Sequence, residues 1–151
     1  MLRQAFTDRL KEVMKAKDSR TTLTIRLIIA GLKERDVAAR GQGNAEGISE
    51  DEIRRMLQAM IKQRRESVTL YEKGNRADLV QQELQEIAVI ENFLPHQLDE
   101  DEIEAAATAA IAETGATKLS DMGKVMAVLR EGHAGAIDLG KAGAIVRRRL
   151  G

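Results

Sequence analysis

A single proline, Pro95, stands in a chain of 151 residues whose apolar side chains otherwise recur at three- and four-residue spacing. Proline lacks the N–H that a helix interior requires and turns the residue before it away from helical geometry. Elsewhere the spacing is that of one helix face after another, and strand-type alternation is scarce. The chain therefore reads as all-α, with one forced helix stop.

Leu2, Phe6, Leu10 and Val13 line a first helix, and Asp18 or Ser19 can cap a second. That second helix, about Arg20 to Arg40, has apolar residues around most of its circumference (Leu23, Ile25, Leu27, Ile28, Leu32), which predicts a central place in a bundle. Its polar strip holds Thr22, Arg26, Lys33 and Arg40, the last three spaced by seven. The stretch Gly41 to Gly47, with three glycines, reads as a flexible connection. Its start resembles a nucleotide-binding glycine motif, but the spacing fails and no strand precedes it. Ser49 to Glu52 predicts a reciprocal capping box. The stripe Ile53, Leu57, Met60, Ile61, Val68 and Tyr71 then runs to a Gly74-Asn75 turn, with Arg64 in its middle. The next stripe, Leu79, Ile87, Ile90 and Leu94, contains Glu83 and Glu86. An antiparallel hairpin about residue 75 brings Arg64 level with Glu86 and one turn from Glu83, which predicts a half-buried ion pair that fixes the register.

Beyond Pro95, Asp99-x-x-Glu102 opens a helix bearing Ile103, Ala106, Ala107, Ala110 and Ile111, and Gly115 ends it. Met122, Val125, Met126 and Leu129 define a short helix, Gly132 to Gly135 break it, and Asp138 caps a last helix with Leu139, Ala142, Val146 and Leu150. The expected architecture is an N-terminal bundle of about four helices over 1–95 and a small three-helix domain over 96–151.

Function is bounded mostly by exclusion. There is no cysteine, and His96 and His133 have no second ligand at metal-binding spacing. No Walker A or HExxH pattern occurs, and the paired carboxylates fall at helix starts. We therefore expect no catalytic residue, no metal and no cofactor. The longest apolar run, Leu27 to Leu32, is far too short for a membrane span, and the opening residues lack the apolar core of a signal peptide, so a soluble cytoplasmic protein is expected. Basic and acidic residues balance at 24 each, yet residues 1–40 hold ten Lys/Arg against five Asp/Glu, and residues 118–151 hold seven against three. Lys118, Lys124, Arg130, Lys141, Arg147, Arg148 and Arg149 are the candidate phosphate contacts, with Arg26, Lys33 and Arg40 as an extension. With one Tyr, two Phe and no Trp, base stacking is nearly unavailable, so any RNA would be recognised by shape and backbone.

The run Tyr71 to Leu79, the acids Glu83 and Glu86, Phe93 to Leu98, Arg64 to Ser67, Arg26 to Ile28, and Ser120 to Met126 together resemble the YqeY-like (GatB/YqeY domain) family. The matches keep their order along nearly the whole chain. Ala127 stands where the family commonly has glycine, and Leu139 follows Asp138 where Asp-Gly is frequent. The resemblance implies a helical bundle joined to a three-helix domain like the tail of the aminoacyl-tRNA amidotransferase B subunit, which is associated with holding tRNA. It also carries a carbon-nitrogen ligase label, with glutamine as amido donor, whose chemistry other domains perform. The expectation is a non-catalytic tRNA-binding accessory module, in which Lys124 is the most direct carry-over and Gly123 admits a neighbouring helix. The rival expectation is a protein-interaction module that docks on an amidotransferase or an aminoacyl-tRNA synthetase. An amidotransferase component with activity of its own is the third.

Overall fold

A computed structural model describes all residues, Met1 to Gly151, as helices α1 (Leu2–Lys15), α2 (Ser19–Gly41), α3 (Glu50–Lys73), α4 (Ala77–Glu91), α5 (Glu100–Thr114), α6 (Met122–Gly132) and α7 (Leu139–Leu150). A 3-10 turn over Leu119–Asp121, absent from the sequence reading, leads into α6. No strand is present. The helices divide into two compact units, Met1–Leu94 and Pro95–Gly151.

In the first unit, Phe6, Ile28, Leu32, Ile53, Met56, Leu57, Ile61, Ile87 and Ile90 form one core, closed by Phe93 edge-on to Phe6 with ring centroids 4.9 Å apart. Asp18 caps α2 through the Thr21 N–H. The hairpin of α3 and α4 turns on Asn75, whose φ of 56° is left-handed, while Gly74 keeps a φ of −87°. Asparagine adopts this region at little cost, so the turn does not depend on the glycine.

Three expectations need correction here. The helix α2 is not enclosed: only the side toward α1, α3 and α4 is buried, and Leu23 and Leu27 face solvent. Thr22, expected on its polar strip, is buried, with its hydroxyl donating to Asp18 O at 2.7 Å. The Ser49 cap is one-sided. Its hydroxyl oxygen accepts from Glu52 N at 3.1 Å, but the Glu52 carboxylate accepts the Ser49 hydroxyl, not the backbone N–H. The glycine-rich connection is pinned at its far end by Asp36. This buried carboxylate accepts from Arg3 and, at 2.9 Å, from Ile48 N, while Arg3 also donates to Ile48 O at 2.7 Å. Gly47 lies against Asp36 at a φ of 85°, where a Cβ would collide with the carboxylate.

The second unit starts with the full reciprocal box at Asp99 and Glu102. Gly115 closes α5 in the left-handed region at a φ of 68°. Its core is Ile103, Ala107, Ala110, Val125, Leu129, Ile137, Ala142, Val146 and Leu150. The alanines bury little area but let three helices approach closely. The buried glycine of this unit is Gly143, where a Cβ would meet Met122 Cε at 3.6 Å, an ordinary contact. Gly123, expected from the sequence to admit a neighbouring helix, has nothing within 4 Å of a Cβ. Residue 123 lies on the outer side of the first turn of α6, where no helix passes.

Candidate nucleic-acid interface

Phosphate contact needs cations that are exposed and not already satisfied by carboxylates. The second unit has seven Lys/Arg and nine Asp/Glu, so any binding of a polyanion depends on how they are segregated. They are segregated strongly. Residues 99–113 hold six acids and no base, whereas 118–151 hold seven bases and three acids. The acids at Glu100, Asp101 and Glu102 occupy the first turn of α5, where they complement the helix dipole. The His96 ring reaches Glu102 Oε1 at 3.1 Å and, with the Asp99 backbone N–H, holds the Glu102 carboxyl below its usual range.

On α7 each residue is turned about 100° from the last, so Arg147, Arg148 and Arg149 cannot share one face. Arg148 and Arg149 turn toward α5, where both meet Glu104, at 2.8 and 2.9 Å, and Arg149 also donates to the Thr108 hydroxyl. Arg147 is exposed and makes no salt bridge, as are Lys124, Arg130 and Lys141. Between Lys118 and Lys124 in the chain, the Asp121 carboxylate accepts from the Thr117 and Lys118 N–H groups at 3.0 and 3.3 Å. The Thr117 bond first, with the Lys118 bond and the two lysine charges, keeps Asp121 below the ordinary carboxylate range even though burial pushes the other way.

In the first unit, Arg26, Lys33 and Arg40 are all exposed on α2. Arg26 lies 3.9 Å from the Met14 sulfur, and Arg40 Nε donates to Ala45 O at 3.3 Å. Arg64 Nε donates to Glu86 Oε2 at 3.1 Å, with side chains 14% and 17% exposed. Glu83 makes no salt bridge. Burial, together with the Glu86 charge, raises its carboxyl above the usual range, and Arg64 only partly opposes this. Two features were not singled out in the sequence: the Asp36 anchor and Glu50, whose Oε1 accepts Leu2 N at 2.8 Å. An aspartate inside a helix, next to one arginine and eleven residues before a glycine, carries no distinctive signal.

A shallow cavity of about 410 Å³ is lined by Arg9, Thr21, Ala88, Val89, Asn92 and Phe93. Arg9 pairs with Glu12 at 2.8 Å and the Thr21 hydroxyl donates to Asp18 at 2.6 Å. No three His, Cys, Asp or Glu side chains cluster as metal ligands. No helix is long and apolar enough to cross a membrane.

The pattern described as Yqey-like protein matches residues 3–150, both units and every helix. The chain belongs to the YqeY-like family. Similar proteins include the one named altered inheritance of mitochondria protein 41, mitochondrial, in three yeasts. The Lachancea thermotolerans protein is 35% identical over 85 residues, which are 56% of this chain and 43% of that one. The Eremothecium gossypii protein is 31% identical over 98 residues, 60% of this chain and 51% of that one. For Kluyveromyces lactis the identity is 30% over 89 residues, 59% and 46% of the two chains. The alignments thus span about half the length of these relatives. Among YqeY-like motifs, the Ser120 to Met126 stretch is the one that carries Asp121, Lys124 and the packing methionines Met122 and Met126.

Proposed function

We propose that this YqeY-like chain is a non-catalytic accessory module that binds tRNA through Lys118, Lys124, Arg130, Lys141 and Arg147. The reading rests on one observation: these cations are exposed and free of salt bridges, while six of the nine acids of the same unit lie over residues 99–113. Arg148 and Arg149 drop out of the primary surface because Glu104 holds them. Recognition is by backbone and shape. Phe6 is buried, Phe93 packs on it, and Tyr71 is half-buried, so no aromatic face is free to stack on a base. Its proposed compartment is the cytoplasm. The relatives are named as mitochondrial, and the same role in that organelle would serve its own tRNA. Activation and amide transfer belong, in this reading, to a separate amidotransferase or synthetase.

The test is a salt titration of binding to a mixed tRNA pool, beside an unstructured RNA of equal length. The K124A/R130A/R147A variant is expected to bind at least tenfold more weakly at low salt and to lose about two units of salt slope, since each lost phosphate contact removes roughly 0.7 to 0.9. R148A/R149A is expected to change the slope much less. Unchanged affinity and slope in the triple variant would overturn the assignment. Docking on a protein partner is the second reading, favoured by the exposed leucines of α2.

A further inference from the structure

A solvent face of a helix is ordinarily polar, and that of α2 carries an apolar ridge among its charges. Leu23, Leu27 and Val37 are 58%, 45% and 66% exposed and form one ridge with Ala30, at spacings of four, three and seven residues. The ridge runs about 21 Å along the axis. Met14, half-exposed at the end of α1, adds apolar surface beside it, in contact with Arg26. Arg26, Lys33 and Arg40 follow one flank of the ridge at intervals of about 10 Å. None of the three makes a salt bridge, and the nearest buried carboxylate, Asp36, is taken by Arg3 and Ile48. Glu34 interrupts the ridge between Ala30 and Val37 and is exposed.

We propose that this face of α2 docks an amphipathic helix of a partner protein, one with an apolar stripe, carboxylates at seven-residue spacing along one flank, and a basic residue opposite Glu34. The ridge supplies the apolar contact of a helix-against-helix interface, and the cationic row selects and orients the acidic flank. Other occupants fit less well. RNA gains nothing from exposed leucines, since its affinity comes from phosphates. An anionic membrane would have to take up Glu34 in the middle of the inserted ridge, at an electrostatic and desolvation cost. Two copies pairing through antiparallel α2 helices would set cationic row against cationic row. The docking face is separate from the cations of the second unit, so it stands or falls independently of tRNA binding.

The probe is a labelled synthetic helical peptide with a leucine stripe, glutamates at seven-residue spacing on one flank and one lysine in the stripe, beside a twin carrying lysine for each glutamate. Fluorescence anisotropy with the full chain should show salt-sensitive binding of the acidic peptide, at least tenfold tighter than its twin. L27E/V37E, at exposed positions that leave the helix content intact by circular dichroism, should weaken binding at least tenfold. R26E/K33E should reverse the preference between the peptides. L27E/V37E should leave tRNA affinity unchanged within twofold. No binding of either peptide, equal binding of both, or no effect of L27E/V37E would overturn the proposal. So would tight binding to phosphatidylserine vesicles, or a chain dimer that L27E/V37E dissociates.

Discussion

Asp36 does at the residue scale what a disulfide does in other small folds: it ties α2 to the start of α1 and to the residue before the Ser49 cap. The Arg3 hydrogen bonds, with help from the Ile48 N–H, hold its carboxyl below the usual range even though burial pushes the other way. A depressed folded-state pKa means the stabilisation is fully present above the unfolded value of about 4 and is lost as pH falls through the folded one. D36N is expected to cost about 2 kcal/mol at pH 7, because it weakens charge-assisted bonds to Arg3, which is itself partly exposed. Urea denaturation at pH 7 and at pH 3 checks this: the gap between wild type and variant should narrow at the lower pH. A gap that stays constant would mean that the carboxylate charge contributes nothing.

At the scale of elements, the α3 and α4 hairpin carries its polar pair inside the seam. Arg64 and Glu86 are mostly buried, so removing one partner strands the other, whereas removing both strands neither. R64M and E86L are each expected to destabilise by about 3 kcal/mol, and the double variant by less than either. Additive losses, measured by the same unfolding assay, would show that the pair is not coupled. Glu83 sits within the stripe, yet it is Glu86 that meets Arg64. On α6, the open surroundings of Gly123 predict that G123A stabilises the chain by up to about 1 kcal/mol through helix propensity. A loss of stability instead would return Gly123 to the packing role its motif suggested.

At the scale of the whole molecule, the chain divides at Pro95 into two units with separate cores, the first centred on Ile, Leu, Met and Phe, the second on Ala, Val, Ile and Leu. Each core is closed by residues of its own unit. Residues 95–151 produced alone are therefore expected to be helical by circular dichroism and to melt cooperatively, though weakly, as suits 57 residues. A fragment without a cooperative transition would show that its core needs the first unit. The same fragment should retain salt-sensitive tRNA binding and lose binding of the acidic peptide, which places the two proposed interfaces on different units.

The sequence by itself determined the helical class, the helix stops and most of the caps, because these are local: apolar spacing of three and four, a proline, Asp18, Asp99 and Asp138 act within a turn or two of themselves. The pairing of Arg64 with Glu86 was also legible, since a short turn between two long helices leaves one antiparallel register. What tertiary structure alone decided was which side of each helix is covered and which charges are spent. Only the packing of α2 on one side leaves Leu23, Leu27 and Val37 in solvent. Only the approach of α5 to α7 turns two of three consecutive arginines onto Glu104. Both depend on contacts between residues far apart in the chain, and helical spacing records that a face exists without recording what lies against it.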